Sequence, residues 1–295
     1  MSLSNQIAKE VTTKIIDALR TGCAPWVKPW KSVGPNRAAG LPYNHATRKA
    51  YRGINVILLQ IAGMQYSSQA WLTYKQAQEL GGFVRKGEKG TRIIFWKPLT
   101  VKGEQDDGEA IERTIPLLRE YTVFNLEQCE NVRTRGKETE PTTVSEFEAH
   151  ERAEELLAKS GAIIRHGGDS AFYSPSHDFV QMPHKEQFTE AAGYYATALH
   201  ELTHWTGHSK RLAREYGKRF GDQAYAREEL VAEIGAAFLC TELGVQGELR
   251  HAAYVKSWIK VLENDHRAIF VASAHAQKAA DLVLAKVEEE EKIAA

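Results

Sequence analysis

The segment His200-Glu201-Leu202-Thr203-His204 constrains the fold more than any other stretch of the chain. Two imidazoles four residues apart reach one cation only if the backbone between them is helical, because such side chains leave one face a turn apart. The surrounding EAAGYYATALHELTHWTGH contains no proline, so a helix is predicted over 186–207, closed by Gly207. Glu201 then sits about 100° around that helix from His200, beside the ion, where it can take a proton from water. His208 continues the four-residue spacing but falls beyond Gly207 and reads as a surface or supporting residue.

A catalytic zinc site needs a third protein ligand and an open position. The next long predicted helix, 222–243, carries Arg227-Glu228-Glu229-Leu230-Val231-Ala232-Glu233. Its apolar neighbours LVA and IGAAFL make it a buried helix, where unpaired acids are costly. Glu229 is assigned as the third ligand and Glu233, one turn on, as the acceptor for a ligand imidazole N–H. Glu228 and Glu233 are the alternatives for the third ligand. A His/His/Glu set suits Zn²⁺ and also accepts other divalent ions such as Mn²⁺. Cys240 lies on the apolar face of the same helix and reads as core. No phosphate-binding glycine loop and no G-x-S-x-G elbow is present, which leaves nucleotide hydrolysis and serine-hydrolase chemistry without support.

The chain is formally neutral, with 38 basic and 38 acidic residues, but the charges are segregated. Residues 1–102 hold 16 Lys+Arg against 4 Asp+Glu, leaving 22 against 34 for residues 103–295. Aromatic residues are interleaved with the cations of the basic portion. Trp26, Lys28, Trp30, Arg48, Tyr51, Arg52, Trp71, Lys75, Arg85, Lys86 and Lys89 are the candidate contacts to single-stranded DNA, with cations on phosphates and rings on unpaired bases. Phe95 and Trp96 are assigned to the core. No helix-turn-helix pattern suggests a duplex reader.

Helices are predicted over 4–21, 53–62, 69–80, 144–160, 248–263 and 266–290, besides the two that carry the motif. Strands are expected around the basic RKGEKG turn, in a long hairpin through the EQDDGEA tip, and at 162–165, 171–174 and 178–182. The polar stretch 131–143 reads as a linker between portions 1–130 and 144–295. AFYSP (171–175) and DFVQMP (178–183) are the candidate edge strands for an extended peptide, with Tyr173 a candidate oxyanion hydroxyl. Three scattered cysteines, no apolar run of membrane-spanning length and no secretory leader point to a cytoplasmic protein without membrane contact.

HELTH followed by Glu229-x3-Glu233 resembles the gluzincin pattern of thermolysin-like zinc peptidases, with Glu where Asp is usual. WVKPW (26–30), YRGIN (51–55), WLTYKQA (71–77), RKGEKG (85–90) and VFNLEQ (123–128) are similar to the single-strand-binding domain of ArdC-type plasmid antirestriction proteins, which also occurs in TraC-type conjugative primases. SPSHDFVQMP, YYATALHELTHWTGH, KRLAREYG and EELVAEIGAAFL resemble the metallopeptidase-like domain of that family. The resemblance implies an α+β protein: a mixed α/β single-stranded-DNA-binding domain joined to a mostly helical zincin-like domain with a small sheet. It implies protection of incoming conjugative plasmid DNA from host restriction, with a restriction enzyme or DNA-bound protein as the candidate protein substrate. Two rival readings are a DNA-coating protein with a structural metal site, and a DNA-dependent metalloprotease acting on DNA-bound proteins.

Overall fold

The amphipathic spacing at the start of the chain produces α1 (Leu3–Arg20), whose Ile7, Val11, Ile15, Ile16 and Leu19 are all buried. The computed structural model describes residues 3–21, 24, 26, 40–104, 110–133, 145–215, 223–246 and 254–294, with backbone alone at 3–4, 96–104, 110–118 and 288–294. The basic portion continues with β1 (Tyr43–Asn44), α2 (Ile54–Ala62), β2 (Ala70–Thr73), α3 (Tyr74–Glu79), β3 (Phe83–Val84), β4 (Thr91–Glu104), β5 (Ala110–Asn125) and β6 (Cys129–Glu130). Four of these strands make one sheet in the order β1-β2-β5-β4, and β3 pairs with β6.

The helix expected over 69–80 is only half right. Trp71 and Leu72 are both fully buried, but in different clusters on opposite sides of β2. That alternation of period two is satisfied by a strand paired to β5, and pairing overrides the helical pattern. The helix starts only after Thr73, whose Oγ1 accepts from Gln76 N while Gln76 Oε1 accepts from Thr73 N, a reciprocal cap.

β4 and β5 form the expected hairpin, in register from Thr91–Val123 to Glu104–Ala110. Its acidic tip, 105–109, lies outside the described residues. The outer edge of β4 is closed by the Asn55 side chain, which donates to Ile94 O at 2.7 Å and accepts from Ile94 N at 2.8 Å. One amide thus replaces a neighbouring strand and fastens α2 to the sheet.

The second portion comprises α4 (Glu146–Lys159), β7 (Ile163–His166), β8 (Phe172–Ser174), β9 (Phe179–Met182), α5 (Ala191–Thr206), α6 (Gln223–Leu243), α7 (Val255–Asn264) and α8 (Ala268–Ala294). Its sheet has the order β7-β9-β8, with β7 parallel and β8 antiparallel to β9. Tyr173, Val180 and Met182 form its buried side. The result is the α+β class expected from the sequence.

One apolar cluster runs from α1 and α2 into α4–α8. Thr12 Oγ1 donates to His266 O at 2.7 Å, and Gly53 N donates to Gln277 Oε1 at 2.9 Å. Of the expected linker, Val132 packs against the Leu72 cluster and Arg133 N donates to Leu80 O at 3.0 Å. Residues 134–143 lie outside the described residues.

Candidate metal centre

α5 is buried along most of its length, and it presents His200 and His204 toward α6 with ring centroids 4.9 Å apart and planes at 80°. α6 can approach this closely because of Gly235. A Cβ on that residue would stand 2.5 Å from Thr203 Cγ2 and 3.0 Å from Thr203 Oγ1. A glycine here serves a close helix–helix approach, since any side chain would hold the helices apart.

That approach divides the labour among three glutamates of α6. The Glu229 carboxylate faces both rings: Oε2 is 3.5 Å from His200 Nε2, and Oε1 is 3.5 Å from His204 Nε2. Glu233 Oε2 lies 3.4 Å from His200 Nδ1, and Glu228 Oε1 lies 3.1 Å from His204 Nδ1. Each ring therefore turns one nitrogen toward Glu229 and the other toward a carboxylate that fixes its orientation. One donor atom each from His200, His204 and Glu229 fall within 4.8 Å of one another. Two imidazole nitrogens and a carboxylate oxygen converging on one point are the donor chemistry of a divalent cation, and the residues fit such an ion. Glu201, 8% exposed, adjoins them on α5.

The electrostatics agree with a site built for positive charge. Burial disfavours protonation of His200, but Glu229 and Glu233 together hold its pKa well above the ordinary histidine value. Burial likewise opposes His204, whose pKa is nonetheless pushed up to about 9, chiefly by Glu228 and Glu229. Burial would raise Glu229, yet the bonds from both rings keep its carboxyl far below the usual range.

Two supporting groups were not foreseen from the sequence. Arg214, buried after the end of α5, grips Glu228 from Nε (3.0 Å) and Nη2 (2.8 Å) while also donating to Thr206 Oγ1 and Thr203 O. The Tyr225 hydroxyl bonds Glu229 and lies 3.3 Å from Tyr254 Oη. Tyr225 stands one helical turn before Glu229, a spacing that could have flagged it. Nothing in the order of residues flags Arg214.

The other expectations for this portion divide. The helix ends at Gly207, and His208 lies outside the donor cluster, 4.0 Å from Asp178. Cys240 is buried. Tyr173 Oη donates to Asp178 Oδ1 at 2.9 Å, and Asp178 is ion-paired to Arg211, whose guanidinium stacks 3.8 Å over Trp205. That hydroxyl is committed to fastening the β8–β9 turn to the end of α5, so the oxyanion assignment is withdrawn. DFVQMP is excluded as a peptide-pairing edge, because β9 is paired on both sides. β8, within AFYSP, is an edge.

The nucleic-acid candidates need larger corrections. Trp26 is 2% exposed and packs edge-on against Trp258 at 5.7 Å, and Trp71 is fully buried. Tyr51 is buried, with its hydroxyl accepting from Asn44 Nδ2 at 3.2 Å. None of these three rings offers a face to a base; as large apolar side chains they contribute more by filling the core. Arg52 is ion-paired to Asp281 of α8. Arg48, Lys75, Arg85, Lys86 and Lys89 are exposed, with Arg48 over the Tyr43 ring and Arg85 paired to Glu88. Lys28 and Trp30 lie outside the described residues. Phe95, assigned to the core, is 44% exposed.

A helix with two histidines facing a glutamate on the next helix, beside a small sheet with β8 at its edge among the described residues, defines a zincin-like domain, and residues 151–275 match the zincin-like metallopeptidase family. Residues 5–124 match the N-terminal domain of anti-restriction factor ArdC. The metal-free crystal structure of antirestriction ArdC protein from R388 plasmid superposes with a TM-score of 0.79 at 39% identity, covering 96% of this chain and 98% of that one. Its Mn(II)-bound form gives 0.75 at 38% identity, covering 97% and 98%. The chain is 40% identical to the uncharacterized protein y4eC of Sinorhizobium fredii, over 93% of this chain and 90% of that protein. It is also 44% identical to DNA primase TraC of Escherichia coli over 94% of its own length, but it spans only 27% of that primase. The chain belongs to the ArdC antirestriction family. Among the described residues, no helix is long and apolar enough to cross a membrane.

Proposed function

We propose that this protein binds single-stranded DNA through its basic portion, about residues 1–130, and protects incoming plasmid DNA from restriction. Residues 144–295 would carry a divalent-metal peptidase centre, with zinc or manganese held by His200, His204 and Glu229. The observation that carries this reading is the coexistence, in one ArdC-family chain, of a complete His/His/Glu donor set and a basic portion matching the ArdC N-terminal domain.

When bound, a divalent ion supplies Lewis-acid polarisation of water and of a substrate carbonyl. Glu228 and Glu233 hold the two rings in the tautomer that leaves each Nε2 free to ligate, and Arg214 holds Glu228. Glu201 is the carboxylate that takes a proton at its Oε atoms from the attacking water and returns it to the leaving amine. An extended peptide would lie along the free edge of β8, matching backbone donors to acceptors.

The test is a conjugative-transfer assay into a restricting host with wild type and Glu201→Ala, with metal content and DNA binding measured in both. Lost protection with metal and DNA binding intact supports a working peptidase. Retained protection moves the function to DNA coating and makes the metal centre structural. A DNA-dependent protease has support in the shared core of the two portions, and it predicts cleavage only when single-stranded DNA is present.

A further inference from the structure

With Trp26, Tyr51 and Trp71 in the core, none of the expected rings among the described residues is open to a base. The basic portion does display rings elsewhere. Its exposed large aromatics among the described residues are Tyr74 (52%), Phe83 (44%), Phe95 (44%) and Tyr121 (45%). Two of them touch: Phe95 and Tyr121 have centroids 5.4 Å apart and planes at 84°.

The register explains how they come to stand in solvent. Ile93 pairs with Tyr121 and Phe95 with Arg119 across the β4–β5 ladder, so all four positions share one face of the sheet. On that face Tyr51, Leu59 and Trp71 cover Ile93 and Val123, with Ala62 and Tyr66 alongside. Among the described residues the cover stops there, and the face continues past it into Phe95 and Tyr121. Across β5, the Thr73–Val123 pair brings the end of β2 to the same region, one residue before exposed Tyr74 and two before Lys75, whose side chain is 85% exposed.

We propose that Phe95 and Tyr121, flanked by Arg119, are the base-stacking platform for single-stranded DNA. This deepens the DNA-binding reading above and rests on it. An edge-to-face pair on a rigid sheet offers an unpaired base one ring to stack on and another to brace against, at no cost in ordering a loop. The charge around it selects a polyanion over an apolar protein surface. Arg119 stands directly opposite Phe95, and residues 1–102 hold 16 basic against 4 acidic residues. Arg92 and Lys75 are not counted, because Glu10 and Glu120 engage the first and Glu79 the second. Duplex DNA is excluded as the ligand of this platform because its base faces are stacked within the helix.

Binding of a fluorescent oligo-dT strand to the full chain, followed by anisotropy across a salt series, tests this. F95A and Y121A should each weaken binding roughly tenfold, in line with loss of one stacked base. F95L and Y121L keep apolar bulk and should lose as much, whereas F95Y and Y121F should bind as wild type. R119A should lower the slope of log affinity against log salt by about one contact. The leucine variants decide the matter if thermal melting shows the alanine variants unfolded. Wild type that binds oligo-dT alongside ring-less variants that bind equally well overturns the platform and leaves the single-strand reading standing. Wild type that does not bind oligo-dT overturns both.

Discussion

Arg214 and Glu228 meet in a two-point ion pair with side chains only 3% and 6% exposed, directly behind the imidazole of His204. The guanidinium fork spans both carboxylate oxygens, and the same carboxylate reaches His204 Nδ1. The arginine is thereby three contacts removed from the point where the donors converge, yet it sets the angle of one of them.

Replacing Arg214 by Ala therefore strips a buried carboxylate of its partner, a change that costs about 3–5 kcal/mol when such a pair is broken. Lys in the same place can hold one oxygen and not two, because it lacks the planar fork. R214K is expected to fold and to bind Mn²⁺ or Zn²⁺ about 10–100-fold more weakly, as loss of an orienting partner usually does. Metal titration by calorimetry checks this, and unchanged affinity would show that Glu228 is held well enough by other means.

Gly235 predicts a different failure. An alanine methyl would overlap Thr203 Cγ2, 2.5 Å away, in the middle of the α5–α6 contact. Overpacking of this kind costs about 1–3 kcal/mol, and here it also moves Glu229 away from His200 and His204. G235A should lower both melting temperature and metal affinity, and the double change G235A/T203A should recover much of each. A double variant as poor as the single one would place the strain elsewhere.

These two residues also mark where sequence reading stops. His200, His204, Glu229 and Glu233 are legible because their meaning lies in spacing along a helix. Glu228 is their immediate neighbour, but its partner depends on how α6 crosses α5 and on where the chain after Gly207 returns, and no local period encodes either. Trp26 and Trp71 proved to be core for a complementary reason. A ring beside a lysine reads the same whether it stacks on a base or, like Trp26, packs edge-on against Trp258 from a distant part of the chain. WLT read as helix because three residues are too few to display a period of two, and only pairing with β5 decides them.

The Asp178–Arg211 pair carries a pH prediction. Hydrogen bonding from Arg211 outweighs burial and holds the Asp178 carboxyl below its ordinary value of 3.8. A carboxylate depressed by folding stabilises the native state fully above its unfolded pKa, and that contribution disappears as pH falls through the folded value. D178N should thus cost about 1–3 kcal/mol near neutrality, the worth of hydrogen bonds to a charged group. The difference between variant and wild type should shrink steadily below about pH 4. Urea melts at several pH values check it, and a gap that stays constant in acid would mean that Asp178 acts through shape alone.

Metal removal gives the most direct readout of the centre itself. The three donors come from two helices that pack face to face, so an ion held by all three binds only the folded chain. Ligand at a hundred times its dissociation constant then adds about 2.7 kcal/mol to stability. For a chain of this size that corresponds to a melting shift of about 5 °C or more. Chelation should lower the melting temperature of wild type by that amount, and readdition of Zn²⁺ or Mn²⁺ should restore it. H204A and E229Q each remove one donor and should melt at the same temperature with and without metal. E201A should keep the full shift, because its carboxylate stands beside the donors and is not one of them. A metal-dependent shift that survives in E229Q would transfer the third ligand to Glu228 or Glu233, and the crossing of α5 and α6 would then have to change on loading.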